Sequence, residues 1–289
     1  MRLGVVFPQT EIGPDPAVVK DYAQAAEALG YTHLLVFDHV LGADTTIAER
    51  REWRGPYTHQ HQFHEPFVLF GYLAGLTQTL ELVTGIVILP QRQTALAAKQ
   101  AAEVDVLSGG RLRLGVGVGW NSVEYDSLNE DFHTRGRRVV EQIQLMRRLW
   151  TEPVVDFKGT YHSIDQAGIN PMPVQQPIPI WLGGMADIVL KRVARYGDGW
   201  FPQFRPGTET ATTMMKTLRG YVADAGRDMS EIGIEGRFSG GGSPDDWRAA
   251  AGEWEAIGAT HLSVNTMGLG LTSPREHIDQ IRRVKESLG

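Results

Sequence analysis

Eight times along the chain a short apolar, β-branched run is followed by a longer run of helical period. The strand-like runs are Arg2–Phe7, His33–Phe37, Glu81–Leu89, Leu112–Val118, Ile178–Leu182, Gly199–Phe201, Glu231–Glu235 and Thr260–Val264. Helical stretches follow them at 15–29, 66–78, 94–107, 134–150, 186–196, 208–225, 245–257 and 275–288. Several of the strands are apolar throughout, as strands covered on both faces must be. Alternation of this kind builds a parallel sheet with helices packed outside it. A count of eight suits closure, so the expected fold is α/β, a (β/α)8 TIM barrel forming one domain over 1–289. The competitor is an open, doubly wound sheet, but no dinucleotide fingerprint appears.

Composition excludes several classes of function. The net charge of −6 offers no long-range attraction to nucleic acid or to an anionic membrane surface. Without cysteine there can be no disulfide, thiolate nucleophile or iron–sulfur cluster. Met1 leads directly into the first strand, and no apolar run is long enough to span a bilayer, so the expectation is a cytoplasmic protein.

Two segments break the rhythm. Gly42 to His64 follows the second strand and carries Arg50, Arg51, Trp53, Arg54, Tyr57 and three histidines. It is an insertion leaving a C-terminal strand end, so it is expected to arch over the barrel mouth as a lid. Thr151 to Pro177 is an excursion before the fifth strand, with a small hairpin expected to turn at Lys158-Gly159.

Barrel chemistry sits at the C-terminal strand ends. Asp38-His39 ends the second strand; a histidine there can exchange a proton near neutral pH, and the aspartate can orient the loop. Glu65 is the acidic helper the sequence offers. The alternating Gly115, Gly117 and Gly119 strip one face of the fourth strand, making room for a ligand or for a bulky neighbour. Gly183-Gly184-Met185 leads straight into a helix, whose first amides suit a phosphate. Ser239 to Gly242 reads as a flexible loop. His59, His61 and His64 lack the spacing of a helical ligand pair, so no metal is expected. Trp150 and Trp254 read as core.

Taken together, these residues resemble the luciferase-like monooxygenase superfamily, and most of all its actinobacterial deazaflavin-dependent branch. The resemblance rests on Gly4 to Gln9, Phe37-Asp38-His39, Thr84 to Val87 with Gln91-Arg92, Asp105 to Arg111, Gly115 to Asn121, Trp181 to Gly184 and Asp198-Gly199-Trp200. It implies a cofactor ring lying across the barrel mouth. Thr84, Gly85 and Ile86 would form a third-strand bulge behind the ring, which can carry a non-prolyl cis peptide. His39 would face the cofactor or substrate, Gly183 and Gly184 would take the cofactor phosphate, and Trp120 and Asn121 would line the pocket.

The implied activity is hydride transfer between coenzyme F420 and a small organic substrate, with FMN-dependent monooxygenation as the alternative. Arg51, Arg54, Arg92 and Arg205 are candidates to meet the acidic tail of the deazaflavin. The resemblance also implies a homodimer. Two further readings stay open: a hydrolase or isomerase barrel without a redox cofactor, and a cofactor-binding protein without turnover.

Overall fold

The computed structural model describes residues 1–48 and 55–289. Arg50, Arg51, Trp53 and Arg54 of the first insertion therefore lie outside the described residues.

The chain forms a closed (β/α)8 barrel. Its strands are β1 (Arg2–Val6), β2 (His33–Val36), β3 (Glu81–Thr84), β4 (Val87–Ile88), β5 (Leu112–Gly117), β8 (Ile180–Gly183), β9 (Gly199–Phe201), β10 (Gly233–Ser239) and β11 (His261–Asn265). They run parallel in the order β3-β2-β1-β11-β10-β9-β8-β5-β4, and pairing of β3 with β5 closes the ring. β3 and β4 are two halves of one stave, since both pair with β5, through Leu82↔Leu112 and Val87↔Val116. The break between them falls at Gly85–Ile86, whose peptide bond is cis, in the bulge where the resemblance implies such a bond.

The helices outside the ring begin where the sequence supplies a cap. α1 (Pro16–Ala28) has Asp15 accepting from the Ala17 amide, and α2 (Pro66–Ala74) has Glu65 accepting from the Val68 amide, each with proline in its first turn. α3 (Thr94–Ser108) ends on Gly109 at φ 68°, the left-handed conformation glycine adopts without strain. Next come α4 (Ser122–Ser127), α5 (Arg135–Thr151), α6 (Asp187–Tyr196), α7 (Glu209–Asp224), α8 (Pro244–Ala256) and α9 (Pro274–Leu288). Trp150, Trp200, Trp247 and Trp254 are fully buried. Each contributes on the order of 2–3 kcal/mol of apolar burial to the shell between staves and helices.

Several boundaries differ from the sequence reading. The seventh stave runs Gly233–Ser239 rather than 231–235, because Met229–Glu231 is a 3-10 turn boxed by Asp228. Past Glu235 the ladder continues, with Arg237 and Ser239 paired with Ser263 and Asn265. The fifth stave starts at Ile180, after Pro177 and Pro179, which have no amide to give. α4 was not expected at all. The excursion hairpin exists as β6 (Val155–Lys158) and β7 (Ser163–Ala167), but its turn spans Gly159 to His162. The Glu141 carboxylate of α5 holds that turn by accepting from the amides of Thr160, Tyr161 and His162, which pushes the return strand past His162. Ser239 to Gly242 is tied down rather than loose: Gly240 donates to Asn265, the Trp247 indole donates to the Gly241 carbonyl, and Ser243 caps α8.

The foot of the barrel is plugged by polar groups. Glu235, buried, accepts from Arg113 at 2.5 Å and Ser263 at 2.5 Å, with His33 Nε2 3.0 Å away. Arg113 also lies over the Trp181 ring at 4.2 Å. These contacts tie β2, β5, β10 and β11 together at the end of the barrel opposite the strands' C-terminal ends, where barrel chemistry sits.

Candidate active site

At the C-terminal end of the staves lies a cavity of about 320 Å³, within the range of small-molecule sites. The sequence-predicted residues Asp38, His39, Gly85, Ile86, Gly117, Gly119, Trp120, Gly183 and Gly184 all line it, together with Gln203 and Arg237. Three predicted residues do not. Thr84 is buried and donates to the Gly115 carbonyl at 2.8 Å. Asn121 is buried as the cap of α4, its amide 3.0 Å from the Tyr57 hydroxyl. Met185 packs against the outer shell, its sulfur accepting from the Gln203 amide.

The glycines are explained by the bulge. A Cβ on Gly117 would sit 2.5 Å from Ile86 Cδ1, one on Gly119 2.7 Å from Ile88 Cγ2, and one on Gly183 2.9 Å from Ile86 Cγ2. Of the two readings of the stripped strand face, the bulky neighbour is the one found. Ile86 fills it, making an apolar ledge between the ends of β5 and β8.

Asp38 is committed to architecture. Its buried carboxylate accepts from the Ile88 amide at 2.9 Å and from Arg92 at 2.8 Å, so it fixes the second half of the bulged stave. Glu65 binds the other side of the same guanidinium, also at 2.8 Å, and is not the partner of His39.

The acid beside His39 is Glu124. Its Oε1 lies 3.5 Å from His39 Nδ1, and it is fully buried. The same carboxylate accepts from the amides of Val40 and Leu41 at 2.9 and 3.1 Å, from the Tyr57 hydroxyl at 3.1 Å and from Gln91 at 3.2 Å. Burial pushes its pKa up, but His39, the Leu41 amide and Gln91 outweigh burial and hold it below the ordinary range. The imidazole lies on the Tyr57 ring, centroids 3.7 Å apart, with Phe63 edge-on at 4.8 Å. Its side chain keeps 16% of its exposure, directed into a cavity it lines. Sequence reasoning missed Glu124 because it missed α4. The signal was present: Asn121 followed three residues later by an acid is a helix-start pattern.

The turn from β8 towards α6 meets the cavity at Gly183 and Gly184, the latter at φ 128°, where a side chain would be strained. Its N-cap, Ala186, brings no side chain to the first-turn amides. Asp187 turns its carboxylate to Lys191 and Tyr221 instead. An N-terminus of this kind suits a phosphate.

The histidines of the insertion are dispersed. His61 accepts from the Thr58 amide, and His64 packs edge-on to Phe7. Among the described residues no three metal-ligating side chains cluster, and no helix is long and apolar enough to cross a membrane.

Comparison with known proteins places the fold in a family. An uncharacterized Mycobacterium tuberculosis protein is 35% identical over 181 residues, and the match spans 62% of the length of each chain. The F420-dependent glucose-6-phosphate dehydrogenase of Amycolatopsis mediterranei is 30% identical over 224 residues, 73% of this chain and 60% of that protein. Among solved structures, a monooxygenase from Streptomyces bottropensis superposes with a TM-score of 0.81 at 19% identity, covering 100% of this chain and 98% of the other. The profile of the family described as luciferase-like monooxygenase matches residues 1–265. The chain belongs to the luciferase-like monooxygenase family.

Proposed function

We propose that the chain is an oxidoreductase that passes a hydride between coenzyme F420 and a small organic substrate. One observation carries the reading: an apolar ledge, the Gly183-Gly184 turn that leads to an uncapped helix start, and a single positioned imidazole meet at one cavity. Ile86 would support a flat ring, and Gly183, Gly184 and the first turn of α6 would hold a phosphate. When bound, such a ring supplies a two-electron carrier. The protein's part is to fix ring and substrate together, to shield them, and to hold or move a proton at His39 Nε2. Val40, Leu41 and Tyr57, gathered on Glu124, hold the imidazole in place and tie the start of the insertion to Tyr57 within it.

The cavity suits a hydrolase poorly. Asp38 and Glu65 are both engaged by Arg92, and Glu124 beside His39 is taken up by the Val40 and Leu41 amides, Tyr57 and Gln91, so none of the three is a free second acid or base. FMN is the alternative carrier. It is favoured by the engagement of Arg92, one of the four arginines expected to meet an acidic tail. The test is titration of the purified chain with F420 and, separately, with FMN, followed by ring fluorescence. Tight binding of F420 alone supports the proposal, FMN alone moves it to monooxygenation, and binding of neither overturns the redox reading.

The proposal includes a homodimer in the cytoplasm. Val68 and Tyr72 of α2 and Leu96 and Leu107 of α3 are exposed apolar groups that self-association would cover. Equilibrium sedimentation at micromolar concentration reads this directly.

A further inference from the structure

Arginines near the barrel mouth fare differently. Arg92 is paired by Asp38 and Glu65, and at the foot Arg113 is paired by Glu235 and Glu81. Arg237 has no hydrogen bond or ion pair to any described residue; its contact is the Phe37 ring, 5.5 Å from Cζ to centroid. Glu235, two residues earlier on the same strand face, is the carboxylate whose charge reaches Arg237, but its oxygens already serve Arg113, His33 and Ser263. A half-buried guanidinium with five donors and no protein acceptor can be met by water until an anion displaces it. Burial, only partly offset by Glu235, holds its pKa below the ordinary value.

Its position says which ligand. Ile234 pairs with Trp200, and continuing that register along the two strands sets Arg237 beside Gln203. Both residues line the cavity under His39, and both also line an adjoining groove of about 590 Å³ walled by Phe204, Phe238 and Trp254. The acids near the far side of this region are Asp246, held by Ser243 as a helix cap, and the exposed Glu253. Neither is paired with Arg237. In a chain of net charge −6 the bulk field repels anions, so Arg237 here, with Arg205 on the adjoining wall, is a local exception.

We propose that Arg237, with Gln203, is an oxyanion site for the substrate: the molecule oxidised or reduced carries a carboxylate, phosphate or sulfonate on an apolar body. Calling the ligand a substrate rests on the oxidoreductase reading above. The other source of such an anion is the cofactor's own phosphate or acidic tail. The separate amide cradle at Gly183 and Gly184, with β9 between it and Arg237, makes the substrate the better match.

The test uses cyclohexanecarboxylate and its neutral carboxamide as probes, titrated calorimetrically into the cofactor-free chain, so the site is decided whether or not a deazaflavin binds. The expected result is carboxylate binding at least about tenfold tighter than carboxamide, in keeping with a charge-assisted bidentate contact. That preference should be lost in Arg237→Gln and partly kept in Arg237→Lys, while F420 and FMN affinities stay unchanged in both variants. Equal binding of the two probes, or a preference surviving Arg237→Gln, overturns the site. A tenfold loss of cofactor affinity in Arg237→Gln, with carboxylate and cofactor competing, assigns the anion to the cofactor and overturns the substrate class. Failure of the oxidoreductase reading shows separately, as wild-type chain that binds neither cofactor.

Discussion

His39 Nδ1 stands 3.5 Å from Glu124 Oε1, and that one carboxylate also gathers the two backbone amides that follow the histidine. The imidazole and the chain leaving its strand are therefore positioned by the same buried charge. Glu124→Gln keeps the shape but turns an amide NH2 toward groups that are themselves donors. We expect a loss of about 2 kcal/mol in stability, the cost of leaving buried donors unmet. Turnover should fall at least about tenfold, with cofactor affinity changing less. Chemical denaturation and steady-state kinetics on the same preparation check this. Unchanged turnover with the stability loss present would reduce Glu124 to a loop anchor.

Removing the imidazole separates chemistry from binding. In His39→Ala the ledge at Ile86 and the amides at Gly183 and Gly184 remain, so cofactor affinity should hold within about threefold while turnover drops by roughly 10²–10⁴. His39→Gln should not restore it, because the amide cannot titrate. Turnover at the wild-type level in His39→Ala would remove the histidine from the mechanism.

Gly184→Val is expected to do the opposite. At φ 128° a β-branched residue is strained, and its Cβ would begin 3.2 Å from Val189 Cγ2. The start of α6 must shift, and the phosphate cradle with it. Affinity for F420 or FMN should weaken more than about tenfold, while saturating cofactor restores most of the turnover. A variant that binds as tightly as wild type would place the phosphate elsewhere.

The periodic parts of the molecule could be read without coordinates, and the reason is physical. Strands such as Leu112–Gly117 are buried over their whole length, so their apolar runs report the fold directly. The cavity lining was legible where backbone chemistry forced the residue type, as at Gly117, Gly119, Gly183 and Gly184, each facing an isoleucine or valine. What stayed hidden were pairings between distant segments. Glu124 reaches His39 from a short helix whose cap is one asparagine, whereas the sequence reading offered only Glu65 as an acidic helper. Arg237 drew no functional reading, because a charged side chain near a strand end has no evident role until the cavity it lines is seen.

The barrel foot should govern acid sensitivity. His261 lies edge-on to Trp181 at 5.0 Å, and burial, with the positive charge of Arg113 beside it, depresses its pKa from 6.5 to about 3. A histidine with a lowered folded pKa is protonated first in the unfolded chain, so its contribution is complete above pH 6.5 and is lost as pH falls toward 3. Burial likewise lowers the pKa of His64 and His277, so they act in the same sense. Glu235 acts lower on the scale. Burial raises its carboxyl, but Arg113 and His33 overcome that and hold it well below 4.5, so its share is lost only below that value. Urea unfolding at about pH 7.5 and about pH 5.5 isolates the histidines, since the buried carboxylates remain ionised across that interval. Wild type should be less stable at the lower pH, and His261→Asn should shrink that difference while leaving cofactor affinity untouched. A difference as large in the variant as in the wild type would move the acid-sensitive group away from the foot of the barrel.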